Sequence, residues 1–353
     1  MSDFVGLTWD HPRGRKALQA ADFTGLRWDV QPLEGFESSP IEELAERYDL
    51  IVLDHPHLGD ALEANCLRPL DELFSAEELA AWSTDAVGPS FASYTVGGHT
   101  WALPLDAATQ VSARRPDLLA EAPANWDDAF ALDVPVAPSL AGPHAFLSFC
   151  SIAVSLGGEL GDDFFDRSVG AEALAILAEF AHRAPVAASG LNPIGLLELM
   201  STTDELAYVP LVYGYVNYSP RVAFGAPPLG ERLGSTIGGT GIAVTRRSEP
   251  TPELLDHLRW LLSPSTQRGF IPRHAGQPSA RSAWTDPAVD DAAGGFYSQT
   301  LATIERSWVR PRFAGYVPFQ SAASAIIRDG LEAHSDGKAT IDLLATTYQE
   351  ARA

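Results

Sequence analysis

Four aliphatic residues in a row, Leu50-Ile51-Val52-Leu53, leave this chain few ways to fold. A strand with one face in water alternates apolar and polar side chains. One covered on both faces runs apolar without a break, as strands of a parallel sheet do. The surroundings fit that reading. Phe4 to Trp9 is a short apolar stretch, followed by the loop Asp10-His11-Pro12-Arg13-Gly14 and a helical stretch near Arg15 to Ala21. Leu26 to Val30 reads as another strand. Ser39-Pro40-Ile41-Glu42 has the spacing of a capping box with proline at the first helical position. Ile41, Leu44, Ala45 and Tyr48 then recur at i, i+3, i+4 and i+7, which predicts one buried helical face. Strand and helix signals in alternation predict an α/β fold built on an open sheet.

The alternation continues. Ser75 with Glu78 forms a second capping-box pattern, and Gly97-Gly98 predicts a hairpin leading into Trp101-Ala102-Leu103-Pro104-Leu105-Asp106, an apolar strand ending in an acid. Residues 145–156 and 171–182 read as helices. Leu206 to Val216 is aromatic and β-branched, interrupted by Pro210 and Gly214. Thr236-Ile237-Gly238-Gly239-Thr240-Gly241-Ile242-Ala243-Val244 is a glycine-loosened stretch entering a strand, and helices follow near 252–262, 297–306, 319–332 and 339–351. No repeat, charge run or biased linker splits the chain into independent blocks, so its parts are expected to interleave.

Charge removes whole classes of partner. With 46 acidic and 24 basic residues in 353, the net charge is -22, which argues against nucleic acid and anionic lipid. No apolar stretch reaches the roughly 18 residues of a membrane span, so membrane insertion is not expected. Cys66 and Cys150 are too few for a disulfide framework or a cysteine zinc site. Met1-Ser2-Asp3 leads directly into the first strand without the apolar region of a secretory signal, so the expected location is the cytoplasm.

Four segments together resemble a known family, the extracellular solute-binding proteins of carbohydrate-type ABC transporters. They are Leu7-Thr8-Trp9-Asp10-His11; Tyr48-Asp49-Leu50-Ile51-Val52-Leu53-Asp54; Trp101 to Asp106 followed by Arg115-Pro116-Asp117-Leu118-Leu119; and Gly238-Gly239-Thr240-Gly241-Ile242-Ala243-Val244-Thr245. The resemblance implies a type II periplasmic-binding-protein fold: two discontinuous α/β lobes that close by hinge motion on a ligand in the cleft between them. Lobe 1 would take 1–107 and 241–296, and lobe 2 would take 108–240 and 297–353. It also implies a small-molecule ligand (a carbohydrate, polyol or hydroxy/carboxylic acid) and, for an exported chain, a transporter permease as partner. No cofactor is expected.

In open α/β sheets ligands bind outside the carboxyl ends of strands, which turns strand ends into candidates. Asp10 with His11, and Asp54 with His55 and His57, would meet at one edge. An aspartate beside a histidine suits acid–base catalysis, but equally ligand hydrogen bonding or the capping of a turn. These five residues are the catalytic candidates of an alternative reading, a cofactor-independent lyase, isomerase or hydrolase on the same fold. A metal site from them is chemically compatible, but no ligand spacing supports it, and none is expected. Cys66 is a further candidate nucleophile, whereas Cys150 reads as a buried thiol. For ligand binding, Asp106 would accept hydrogen bonds, with Gln110 one helical turn on. Tyr213, Tyr215 and Asn217 would share one strand face, and Trp9 has a stacking or a core role. Two basic islands add His274 and Arg312 as contacts to an anionic group: Arg273 to Arg281, and Arg310-Pro311-Arg312. Gly238-Gly239-Thr240-Gly241 has neither a following Lys-Ser/Thr nor a following helix, so it reads as a flexible hinge or a close backbone approach to ligand rather than a phosphate cradle.

Overall fold

The aliphatic and aromatic runs become strands where the pattern predicts them. In chain order these are β1 (Phe4–Trp9), β2 (Leu26–Gln31), β3 (Leu50–Leu53), the hairpin pair β4 (Thr95–Val96) and β5 (His99–Thr100), β6 (Leu103–Arg114), β7 (Tyr208–Tyr213), β8 (Ala223–Gly225) and β9 (Ile237–Val244). The structure is a computed structural model that describes residues 4–353; Met1, Ser2 and Asp3, where the argument about a leader began, lie outside the described residues. The chain divides into two units, each discontinuous. Unit 1 comprises the chain up to Ala108, Gly238–Ala292 and Val309–Val317; unit 2 comprises Thr109–Ile237, Ala293–Trp308 and Pro318–Ala353. With this mixed α/β architecture the chain has the periplasmic-binding-protein-like fold class.

Within unit 1 the strand order is β2-β1-β3-β9. β1 runs parallel to β2 and β3, while β9 is antiparallel to β3. All four residues of β3 are at most 2% exposed, as an unbroken aliphatic run requires. The parallel expectation is corrected on one side: β9, nearly two hundred residues further on, takes the other edge of β3, and nothing local announces that. Ile41, Leu44 and Ala45 pack with Leu7, Ile51 and Leu53, and Tyr48 joins from beyond the short helix Ile41–Ala45. The Ser39 capping box does not form. Ser39 instead closes the preceding helix Leu33–Ser38, its N–H reaching the Gly35 carbonyl, and Pro40 takes the N-cap position without a side-chain bond. Ser75 and Glu78 do form both halves of their box.

The return segment 309–317 is pinned on unit 1 at several points. Arg310 reaches Asp54, and the Arg312 guanidinium donates to the carbonyls of Ala92 and Ser93 at 3.0 and 2.8 Å. The N–H of Gly315 donates to Asp60 at 2.6 Å, and the Phe313 carbonyl rests on Gly59. A Cβ at Gly59 would lie 2.1 Å from that carbonyl oxygen, which only a backbone shift could relieve. Gly59→Ala is therefore expected to destabilise unit 1 at the upper end of the roughly 1–3 kcal/mol typical of overpacking. Urea unfolding measures it, and a loss below about 0.5 kcal/mol would mean that the segment is not pinned there.

Unit 2 is built on the C-terminal half of β6, which pairs antiparallel with β7 and β8 and carries a bulge between Val111 and Ala113. All twelve residues of the helix His144–Ser155 are buried, so its sequence shows no polar stripe. Its Phe146 and Phe149 meet Phe164, and Phe149 also meets Phe165. Its serines bond inward, Ser148 to the Ser139 carbonyl and Ser151 to Gln110. No described helix is long and apolar enough to cross a membrane.

Candidate functional site

Because β1 and β3 are parallel neighbours, their carboxyl ends put Trp9-Asp10-His11 and Asp54-His55-Pro56-His57 at one edge of unit 1. The helix Pro12–Ala20 starts immediately after β1, with His11 as its N-cap: Nδ1 accepts from the Arg13 N–H at 3.1 Å. That tight entry lays the His11 ring flat on Trp9, with centroids 5.2 Å apart and planes 9° from parallel. Gly14 is what permits it, since a Cβ there would sit 2.3 Å from the indole nitrogen. Phe36 packs on Trp9 as well, and Trp9 is 2% exposed.

Two ion pairs, both closed within unit 1, organise this edge. Arg13 grips Asp106 with both prongs, Nε to Oδ2 at 2.8 Å and Nη2 to Oδ1 at 3.2 Å, and both side chains are 4% exposed. Arg310 holds Asp54 at 2.5 Å, and Asp54 Oδ1 lies 3.1 Å from His55 Nδ1. Tyr94 stands at the junction: its hydroxyl donates to the Leu53 carbonyl at 3.1 Å, and its ring meets His55 edge-on. Burial pushes the Tyr94 phenol well above its ordinary value, and the fields of Asp54, Asp106, Arg310 and Arg13 all reach it. Gly241 makes room for that ring, because a Cβ there would lie 2.8 Å from Tyr94.

The protonation states follow from this burial. Burial, then the Arg310 charge, brings His55 down to about 4, against the pull of Asp54. Burial, with Arg13 and Arg15 beside it, brings His11 down to about 3. His57, whose Nε2 lies 3.2 Å from the Phe36 carbonyl, is lowered by burial too. Burial alone would raise the Asp54 carboxyl, but Arg310 and the His55 hydrogen bond outweigh it and hold it well below the carboxylate range. At neutral pH the edge thus combines the Arg13–Asp106 and Arg310–Asp54 pairs with uncharged imidazoles. The His55 proton sits on Nδ1 toward Asp54, and its Nε2 has no hydrogen-bond partner among the described residues. Among the described residues no three His, Cys, Asp or Glu side chains are grouped to hold a metal ion. Cys66 has its thiol raised to about 11 by burial, which removes its thiolate at neutral pH.

Trp9, His11, Asp54, His55, His57, Asp106 and Arg312 therefore fall in one region of unit 1, and Asp10 stands exposed beside them, paired with Arg15 at 2.7 Å. Several expectations are corrected. Asp106 does not end a strand; it lies inside β6, which continues to Arg114. Gln110 is accordingly on that strand rather than on a helix, fully buried in unit 2, and its side chain bonds Ser148 and Ser151. Tyr213, Tyr215 and Asn217 do not share a strand face, because β7 stops at Tyr213 and Val216–Tyr218 turns into a single 3-10 turn. Tyr213 and Tyr215 are buried in unit 2, where Gly214 lets Phe296 approach, and Asn217 is exposed. His274 leaves the strand-end group altogether and packs on Phe270, with centroids 4.1 Å apart. The glycine stretch does permit a close approach, but to protein: a Cβ at Gly239 would lie 2.7 Å from the Asp106 carbonyl oxygen. Arg13 and Tyr94 were missed. The only sequence signal for Arg13 was its place one turn after an acid-flanked strand end.

No protein-family model and no curated protein matches the sequence. Solved structures do match it. Maltose-bound MalE3 of T. maritima is 16% identical, with a TM-score of 0.79 over 98% of this chain and 99% of that one. A ribitol complex of an ABC transporter solute-binding protein from Agrobacterium radiobacter K84 is 19% identical, with a TM-score of 0.80 over 98% of each chain. One from Thermotoga lettingae bound with α-D-tagatose is 13% identical, with a TM-score of 0.81 over 99% of each. The fold is that of the carbohydrate-type solute-binding proteins.

Proposed function

We propose that this protein binds a small polar ligand of the carbohydrate or polyol class, in the manner of a solute-binding protein. The observation that carries the reading is the end-to-end likeness to proteins crystallised with maltose, ribitol and tagatose. The strand-end edge of unit 1 supports it with acceptors held in place: Asp54, 19% exposed, is fixed by Arg310, and Asp10 stands exposed beside it. A transporter permease belongs to the same reading as the partner of a loaded receptor. The enzyme alternative finds no support at these residues. Imidazoles at about 3 and 4 are poor bases near neutrality, and the Asp54 carboxylate is already committed to Arg310. Thermal unfolding with maltose, ribitol and tagatose in turn, followed by mass spectrometry of the recovered compound, tests the reading. A bound ligand at about a hundred times its Kd should stabilise the protein by about 2.7 kcal/mol. It should also come back unaltered; recovery of a changed molecule, or no shift with any carbohydrate or polyol, overturns the proposal.

A further inference from the structure

His274, a histidine of the first basic island, belongs to an aromatic group at the other end of β1 and β2 from the ion pairs. The group starts at Phe23, in the turn before β2. Phe23 stacks on His257 at 4.8 Å and 15°, and His257 stacks on Trp260 at 5.6 Å and 22°. Trp260 then meets Phe270 edge to face at 4.8 Å and 66°, and Phe270 meets His274. His257 and Trp260 are three apart on the helix Pro252–Leu261, one turn, which is why their rings overlap. Phe270 ends a π-helical turn, Thr266–Phe270, a rare, wide form of helix that is frequent at functional sites. Phe23, His257, Trp260 and Phe270 line an open pocket of about 390 Å³, which Asp22 and Glu253 line as well. No lysine or arginine lines it, and neither carboxylate has an ion-pair partner among the described residues.

We propose that this pocket is a second ligand site, specific for a small organic cation with an alkylated ammonium head. Ring faces are negative, so the corner that Trp260 and Phe270 turn, with planes 66° apart, attracts such a head, and the two carboxylates supply its counter-charge. A bare metal ion gains little from this lining, because it offers few oxygen ligands. The walls must be uncharged for this to work. His257 meets that requirement, since burial lowers it to about 4. The six-residue length of β1 separates the pocket from the Asp54 edge by roughly 17–20 Å, so it is not a part of that site.

Isothermal titration with choline chloride, against 3,3-dimethylbutan-1-ol as its neutral carbon isostere at equal ionic strength, tests the proposal. Saturable choline binding is expected, with the isostere at least about tenfold weaker. Trp260→Ala should weaken choline at least about fivefold, the scale of one cation–π contact. Asp22→Asn with Glu253→Gln should weaken it similarly through exposed groups that leave the melting temperature unchanged, which keeps the test valid should the tryptophan variant unfold. Absence of choline binding, equal binding of the isostere, or unchanged binding in the carboxylate double variant would each overturn the assignment.

Discussion

Asp106→Ala is expected to destabilise unit 1 by about 3–5 kcal/mol, because it takes the paired carboxylate away from a buried guanidinium. Arg13 is 4% exposed and gives two of its donors to that one carboxylate. The Trp9 ring, 5.8 Å from the guanidinium carbon, cannot replace an anion. The pair itself is a weaker source of stability than the single substitution suggests, since two desolvation costs oppose the attraction. Converting both partners, Arg13→Met with Asp106→Leu, should accordingly recover most of the loss. The measurement is a double-mutant cycle by urea unfolding, followed through tryptophan fluorescence. An Asp106→Ala cost below about 1 kcal/mol, or a double variant as unstable as the sum of the singles, would show that this ion pair does not organise the strand ends.

That pair also marks the limit of what the sequence could disclose. The fold class was legible because burial on both faces leaves a direct imprint: Leu50–Leu53 can be read only as a covered strand. Helices with strong periodicity were legible for the same reason. Residues of the strand ends were found by a topological rule, ligands outside carboxyl ends, and that rule brought His11, Asp54 and His55 to one edge. The rule does not say what a charged residue is paired with. Asp106 reads as a strand terminus because an acid in an apolar run usually ends it; here a guanidinium 93 positions away compensates the charge, so the strand continues. Gln110 followed the same error onto a helix. Gly241 shows the complementary case. Its glycine is legible as a demand for space, while the occupant, the Tyr94 ring, comes from another part of the chain. The third segment of unit 1, 309–317, shows in the sequence only as the basic island Arg310-Pro311-Arg312, which does not say which unit it joins; that evidence is tertiary, in Arg310, Arg312 and Gly315.

Unit 1 is expected to be markedly acid-labile, and the sign follows from three histidines. In the folded state His11 titrates at about 3, and His55 and His257 at about 4, with 6.5 as the ordinary value for each. Between these limits the unfolded chain binds more protons than the folded one, so stability rises with pH across the window. Their contribution is complete above about pH 6.5 and is lost as the pH falls toward 4. Each histidine contributes a slope of up to about 1.4 kcal/mol per pH unit, so the three together approach about 4 kcal/mol per unit near pH 5. His57, also lowered, acts in the same direction. Asp54 adds a further loss as pH drops below its ordinary 3.8, because its folded form resists protonation. Against a typical total of about 5–15 kcal/mol, that slope is enough to unfold the unit before pH 4. Urea midpoints measured from pH 7.5 to 4.5 give the slope directly. His257→Phe should flatten it by about a third: the ring is held by Phe23 and Trp260, and its Nε2 makes no hydrogen bond that phenylalanine would lose. A midpoint indifferent to pH across this range would mean that these imidazoles are not kept neutral by burial, and the charge balance at the strand ends would then have to be redrawn.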